Sequence, residues 1–166
     1  MKLYIKQKAF SWREKFAVKD EAQNDRWFAQ GEKFSFGRKL HVFDARGTEV
    51  AFIWRKVLSF LPRYYLEING ASYEFVKEFT LLKPKYSIRN LDWAIGGDFF
   101  AHDYTVTNSN GDIMRIAKAW LTWGDYYELD IIDAQNELLC LCVALAIDCI
   151  TADSSQKSHS MLGMHK

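Results

Sequence analysis

The sequence predicts a mainly β protein, a closed antiparallel barrel of about twelve strands around one apolar helix near the C-terminus. Three observations predict this fold. Residues 1–132 contain short strand-like runs separated by turns, with no helical segment between them. Aromatic residues, which favour strands, make up 16% of the chain. One continuous apolar run, Leu138–Ile147, follows the strands.

The strand candidates alternate apolar and polar residues and are bounded by turn-forming residues. Alternation is clearest over residues 126–131, where Tyr127, Leu129 and Ile131 face one way. Asn69-Gly70 and Asn110-Gly111 tolerate the positive φ of tight hairpins, and Gly96-Gly97 is interpreted as a further turn. The predicted strands are Lys2–Lys6, Lys15–Lys19, Arg26–Gln30, Lys39–Asp44, Thr48–Lys56, Arg63–Ile68, Ser72–Glu78, Tyr86–Asn90, Trp93–Ile95, Asp103–Thr107, Asp112–Ala119 and Asp125–Ile132.

The chain also repeats itself. Arg55–Leu66 resembles Lys77–Ile88, which begins 22 positions later, and Lys118–Leu129 is a weaker third copy. Each copy reads as a strand ending in a basic residue, an aromatic or aliphatic corner, and a strand led by tyrosine. The repetition indicates that related hairpins build the barrel wall, with chance similarity among aromatic strands as the alternative.

The C-terminal helix is predicted from about Glu137 to Thr151. Its apolar run covers the whole helix circumference, which is typical of a helix buried on all sides. Its length of about 22 Å is shorter than the roughly 30 Å core of a bilayer, so we expect no membrane-spanning segment. The prediction is a single domain over residues 1–152, followed by a flexible polar tail over residues 153–166.

Charge and cysteines limit the possible functions. The net charge of +1 gives no support to a nucleic-acid binder. The three cysteines, Cys140, Cys142 and Cys149, all lie in the helix, and residues two apart point to different sides, so Cys140 and Cys142 cannot pair. We interpret them as buried side chains in a reducing compartment. Lysines interrupt the apolar residues of Met1–Phe10, so we expect no secretory signal and a cytoplasmic location.

By the order and spacing of several segments, roughly residues 1–150 resemble the YxjI-type proteins of the LURP-one-related family. The segments are Gly47–Ala51, Leu58–Tyr64, Phe79–Tyr86, Gly97–Tyr104, Trp123–Ile131 and Leu145–Asp148. The resemblance implies the tubby C-terminal-like fold, a twelve-stranded antiparallel barrel around a central hydrophobic helix. In this superfamily tubby proteins bind phosphoinositides, scramblases act on lipids, and plant members are linked to defence. The resemblance carries over no catalytic residue set.

One polar cluster is a candidate for acid–base or metal chemistry. Asp98, His102 and Asp103 combine two carboxylates with an imidazole, but no third His or Cys stands at ligand spacing. The alternative is a turn capped by Asp98 beside an edge strand. Asp148 follows the apolar run, and inside the barrel it must be hydrogen-bonded or have a raised pKa. At the barrel mouth, a basic neighbour or the backbone would satisfy it.

Basic residues recur at equivalent hairpin positions, which makes them candidates to gather at one end of the barrel and hold an anionic headgroup. The alternative is ordinary solvated lysines and strand-edge gatekeepers. The set is Arg55, Lys56, Arg63, Lys77, Lys83, Lys85 and Lys118.

The sequence therefore predicts a non-catalytic cytoplasmic binding or scaffold domain, with no catalytic residues, metal or cofactor. Its partner stays open between an anionic lipid headgroup and a protein. The first alternative is a peripheral binder of anionic phospholipid headgroups through the basic set. The second is an enzyme that uses Asp98, His102 and Asp103.

Overall fold

The computed structural model describes residues 1–6, 15–32, 37–58, 63–81, 84–121 and 124–162, and these contain a closed barrel of twelve strands. Strands that follow one another in the chain pair antiparallel, so the barrel is built of consecutive hairpins. The strands are β1 (Lys2–Lys6), β2 (Phe16–Lys19), β3 (Asp25–Gly31), β4 (Lys39–Asp44), β5 (Glu49–Arg55), β6 (Arg63–Ile68), β7 (Ala71–Lys77), β8 (Lys85–Arg89), β9 (Trp93–Asp98), β10 (Asp103–Asn108), β11 (Gly111–Leu121) and β12 (Gly124–Ile131).

The barrel is closed by β1, which pairs with both β2 and β12. Lys2 lies opposite Asp130 on β12, and Tyr4 lies opposite Lys19 on β2. The amino group of Met1 donates a hydrogen bond to the carbonyl of Ile131 at 3.0 Å. Closure leaves no unpaired sheet edge, and the predicted fold class is confirmed.

The predicted turn at Gly96-Gly97 is wrong. Both glycines belong to β9 and pair with neighbouring strands, Gly96 with Lys85 and Gly97 with Tyr104. Gly97 has φ of 144°, and a Cβ there would lie 2.5 Å from the Cα of Tyr104. Glycine is therefore needed for a close approach of two strands. The dipeptide Asn69-Gly70 does form the predicted tight turn, with φ of 48° and 82°.

The apolar helix lies inside the barrel. A 3₁₀ turn, Ala134–Asn136, leads into α1 (Glu137–Leu162). Every residue from 140 to 147 is fully buried and belongs to the same hydrophobic core as the inward-facing side chains of the strands. The three cysteines are free and buried, as expected.

The helix is longer than predicted. It continues past Thr151 to Leu162, so the backbone expected to form an irregular tail from Asp153 is helical up to that residue. No glycine or proline interrupts residues 137–162, and Gly163 follows them, so the chain carries no helix-breaking residue before that point. Residues 163–166 lie outside the described residues.

Within the described ranges, one helical segment, Ala134–Ala152, is long and apolar enough to cross a membrane by length and composition alone. However, 72% of the qualifying window is buried inside the structure. The barrel wall therefore already covers the apolar surface that a bilayer would otherwise have to cover, and the segment is the core helix of the barrel.

Candidate binding surface

The connections β5–β6, β7–β8 and β9–β10 lie at one end of the barrel, because alternate connections of consecutive antiparallel hairpins share an end. We call the part of this end formed by these three connections the rim; its described residues are 56–58, 78–81, 84 and 99–102. The core helix starts at the opposite end, where Glu137 accepts hydrogen bonds from Arg26 and Trp27 near the start of β3. It therefore runs through the barrel towards the rim.

The rim exposes large apolar side chains. Leu58 and Leu81 are each 91% exposed and Phe79 is 82% exposed. Val57 and Phe100 are also more than half exposed. All of these residues except Phe100 belong to the two clearest repeats, but the sequence does not distinguish an exposed corner from a core-facing one.

The two clearest repeats form equivalent hairpins at the rim. Beyond the end of β5, the backbone N–H of Lys56 donates to the carbonyl of Arg63 at 2.9 Å. The N–H of Glu78, 22 positions later, donates to the carbonyl of Lys85 at the same distance. Tyr64 and Tyr86, the tyrosines that lead the second strand of each copy, are both buried in the core. The hydrogen bonding therefore repeats with the sequence, while the corner residues 59–62 and 82–83 lie outside the described residues.

The structure brings the described members of the basic set to the rim end of their strands. Arg55 and Lys77 end β5 and β7, Arg63 and Lys85 begin β6 and β8, and Lys118 lies close to the rim end of β11. Lys56 follows Arg55 and is exposed, as are Lys85 and Lys118. Lys83 lies outside the described residues.

Carboxylates neutralise the basic set only in part. Arg63 Nη1 lies 3.1 Å from Oε1 of Glu74, which also pairs with Arg89 from the opposite end of the barrel. Glu78 at the rim accepts a hydrogen bond from the Ser87 hydroxyl. No ion pair joins Lys56 or Lys85 to a carboxylate among the residues that the structure describes.

Asp98, His102 and Asp103 do not converge on one reacting point. Oδ1 of Asp98 accepts hydrogen bonds from the backbone N–H groups of Phe100 and Ala101, at 3.1 and 3.0 Å, so this residue caps the β9–β10 turn. Asp103 is exposed and lies opposite Asp98 in the strand register. His102, with φ of 53°, instead hydrogen-bonds to Asp148 in the core. The hydrogen bonds thus favour the turn interpretation of Asp98, but the expected edge strand is wrong, because β9 and β10 are each paired on both sides.

Asp148 is buried at the rim end of the core helix and is hydrogen-bonded there. Its Oδ1 lies 3.0 Å from Nε2 of His102, and its Oδ2 accepts a hydrogen bond from the Tyr127 hydroxyl. Burial raises the pKa of Asp148, although the hydrogen bonds from His102 and Tyr127 offset part of the rise. The imidazole ring also stacks on Tyr127, with ring centroids 4.6 Å apart. The side chains that hydrogen-bond to this carboxyl are therefore a histidine and a tyrosine, and not one of the lysines or arginines considered for the barrel mouth.

At the start of the helix, Glu137 forms the second buried charge contact. Arg26 donates two hydrogen bonds of 2.9 Å to the two carboxylate oxygens, and Trp27 Nε1 donates a third at 2.7 Å. Burial alone would raise the pKa of Glu137, but these donors outweigh it and lower the pKa below its usual value. The buried stretch of the helix is thus anchored by different side chains at its two ends. Arg26 and Trp27 bind the carboxylate at its start, and a histidine and a tyrosine bind the carboxyl at its rim end.

A cleft of about 520 Å³ lies beside the β9–β10 turn. Its lining includes Pro84, Gly97, Asp98, Phe99 and Asp103. The two carboxylates disfavour an anionic ligand in this cleft, so the basic part of the rim is the better candidate for anion binding. Across the described residues, no group of three or more His, Cys, Asp or Glu side chains is arranged to hold a metal ion.

Comparisons with known proteins agree with this architecture. The family model for LURP-one-related proteins matches residues 1–148. The chain is 33% identical over 159 residues to the uncharacterized protein YxjI of Bacillus subtilis (strain 168), a match that covers 95% of this chain and 98% of the relative. A protein of Arabidopsis thaliana solved by X-ray crystallography has a similar fold, with a TM-score of 0.60 and 13% identity over 89% of each chain. At that identity the likeness shows the tubby-like fold alone.

Proposed function

The chain belongs to the LURP-one-related family, and from that premise we propose that it is a non-catalytic binding domain whose partner docks at the rim. The core helix fills the interior of the barrel, with residues 140–147 fully buried, so a partner has to bind on the outer surface. The single observation that carries this proposal is the rim itself, where exposed apolar side chains stand beside basic residues.

The enzyme alternative has little geometric support. Asp98 is engaged in capping its turn, and His102 is held against the buried Asp148 and is mostly shielded from solvent. A general acid or base must reach a substrate proton, and this imidazole is directed into the core. Turnover in metabolite or hydrolase screens that disappears on changing Asp98 or His102, or a metal that co-purifies with the protein, would contradict the proposal.

Peripheral binding of anionic phospholipid headgroups is the more specific candidate. It is supported by the position of the basic set, since all its described members lie towards the same end of the barrel. Each basic residue close to an anionic membrane surface contributes about 1 kcal/mol of electrostatic attraction, and neighbouring residues add to one another. A protein partner with an acidic patch is the other occupant that this charge pattern fits.

Vesicle flotation tests the headgroup candidate directly. We expect the protein to bind phosphatidylcholine vesicles that contain phosphatidylserine at low salt, and to dissociate as salt is raised, because salt screens exposed charges. Lys56→Gln and Lys85→Gln should weaken this binding. Arg46→Gln is the matched control, because Arg46 is an exposed cation in the β4–β5 turn at the opposite end. Absence of binding at low salt would remove the lipid candidate.

A further inference from the structure

We propose that the rim docks by inserting its exposed apolar side chains into the boundary between the headgroups and the hydrocarbon of an anionic bilayer. This inference rests on the proposed headgroup binding and deepens it, because the partner becomes an assembled lipid surface and not a free phosphate or an isolated headgroup. The basic residues then attract the membrane, and the apolar tips hold the protein in it.

The exposed apolar side chains are unevenly distributed over the molecule. Of the seven large hydrophobic residues exposed in the described ranges, five lie at the rim. The other two, Met1 and Ile132, lie at the opposite end. Single exposed apolar residues are ordinary on a protein surface, but a group confined to one end marks an interaction site.

The shape of the rim favours a bilayer over a folded protein partner. The exposed residues lie on three alternate connections of the barrel, at Val57 and Leu58, at Phe79 and Leu81, and at Phe100. They follow or precede the ends of the strands in three different connections, so they are spread along the rim and not gathered in one connection. A protein partner is bound by a continuous, closely packed face. A bilayer is fluid and accepts apolar side chains that are spread over several connections, and basic residues beside them can reach the headgroups.

Charge divides the rim into two parts. The β5–β6 and β7–β8 connections carry Leu58, Phe79 and Leu81, and Lys56, Lys77 and Lys85 flank them. We call these six residues the docking sector. Glu78, the one carboxylate among the described residues of these two connections, accepts a hydrogen bond from Ser87, so the lysines leave this part with a positive balance. The adjoining β9–β10 connection has Phe100 between two exposed carboxylates, Asp98 and Asp103, which an anionic membrane repels.

The division sets the expected orientation. The docking sector enters the membrane first, and the β9–β10 connection stays farther from the anionic surface. The core helix ends its buried stretch on the rim side and its backbone stays helical to Leu162, so its last turns follow the rim end of the barrel. Substitutions at Leu58, Phe79 or Leu81 should therefore weaken binding more than a substitution at Phe100.

The first test is vesicle binding by apolar variants. We expect Leu58→Ser, Phe79→Ser and Leu81→Ser each to weaken binding to phosphatidylserine-containing vesicles by about tenfold, the effect of losing one well-buried apolar side chain. Ile132→Ser is the matched control, since Ile132 is 60% exposed at the opposite end and its loss should leave binding unchanged. All these side chains are exposed, so the variants should melt like the wild type, which thermal unfolding checks.

The second test measures insertion by site-specific labelling. The native cysteines are buried, so a thiol-reactive, environment-sensitive dye should label Leu58→Cys and Phe79→Cys at the new thiol alone. With anionic vesicles, emission of the bound dye should shift to the blue and be quenched by spin-labelled acyl chains. Ile132→Cys, labelled in the same way, should show neither change.

The outcomes separate the two levels of the proposal. If lysine variants weaken vesicle binding but the serine variants do not, or if the dye at Leu58 stays in water while the protein is bound, insertion is overturned and headgroup binding stands. If soluble glycerophosphoserine competes as well as vesicles at equal lipid concentration, the assembled surface is not the partner. If the wild-type protein ignores anionic vesicles at low salt, both the inference and the lipid function fail.

Discussion

At the residue scale, the buried pair of Asp148 and His102 ties the rim to the core. His102 comes from the β9–β10 connection and Tyr127 from β12, and both hydrogen-bond to a carboxyl on the core helix. The hydroxyl of Tyr104 is also buried and near this carboxyl, and it has no hydrogen-bond partner among the described groups. Because Asp148 connects three elements, it positions the loop that carries Phe100.

Asp148→Asn should change how stability depends on pH. The pKa of Asp148 is raised by burial above its ordinary 3.8, so the folded state favours the protonated carboxyl. The contribution of Asp148 to stability is therefore greatest below its unfolded pKa and falls as pH rises through the folded pKa. Asparagine does not titrate, so the melting temperature of the variant should rise relative to that of the wild type as pH increases above the ordinary pKa of 3.8.

Thermal melts at a series of pH values measure this difference. Asp103→Asn is the control, because its carboxylate is exposed at the same end of the barrel, and its difference from the wild type should stay nearly flat. The groups facing Asp148 are His102, Tyr127 and Tyr104, and all three are unchanged in both variants. If the melting temperature of Asp148→Asn relative to the wild type stays constant or falls as pH rises, the pKa of Asp148 is not raised in the folded protein.

How far the sequence predicts the position of a residue depends on whether one strand position determines it, and the ligand-binding role of the basic set stays a prediction. The end of the barrel at which Lys56 and Lys85 lie follows from hairpin spacing alone, and the structure places them at the rim. The pairing of His102 with Asp148 joins residues 46 positions apart and depends on where the helix sits in the barrel, so no local pattern predicts it. The exposure of Leu58 and Leu81 was missed because apolar corners are equally compatible with a core-facing position.

At the element scale, alternation and turn residues predicted the strands because both signals are local. The glycines at positions 96 and 97 were misread because glycine serves a turn and a close strand approach equally well. The N-terminal half of the core helix was predicted because residues 138–147 are all apolar. Its C-terminal end was not, because polar residues from Asp153 onward are compatible with both a helix and a tail.

Truncating the buried side chains of the core helix should destabilise the folded protein. Leu141 and Leu145 are four residues apart on one face and both are fully buried. Each change to Ala should lower the free energy of unfolding by about 2–5 kcal/mol, since it removes buried methyl groups and leaves a cavity. Leu81→Ala is the control, because a leucine that is 91% exposed should cost about 0.5 kcal/mol or less. Urea unfolding measures all three, and unchanged midpoints for Leu141→Ala and Leu145→Ala would contradict the packing.

At the scale of the whole molecule, closure is the step that no hairpin signal predicts. Eleven of the twelve strand pairings in the barrel join strands that follow one another in the chain. The twelfth joins β1 to β12, which are far apart in the chain, with Lys2 opposite Asp130. The sequence predicted closure only indirectly, because a helix that is apolar on all sides needs a wall on all sides. The wall and the helix therefore depend on each other for their burial.

Deleting the helix tests this mutual dependence. A chain that ends at Gln135 keeps all twelve strands but loses the side chains that occupy the barrel interior, including the fully buried residues 140–147. Inward-facing residues such as Leu3, Leu66 and Leu129 would then line an empty space, and the loss of so much apolar burial exceeds the roughly 5–15 kcal/mol by which domains are stable. We expect this chain to be insoluble, or to bind apolar dyes and unfold without a cooperative transition.

A chain that ends at Ala152 is the control, because it retains the buried stretch of the helix and should fold as residues 1–152 are proposed to do. Circular dichroism melts distinguish the two, and a soluble, cooperatively folded chain ending at Gln135 would refute the architecture.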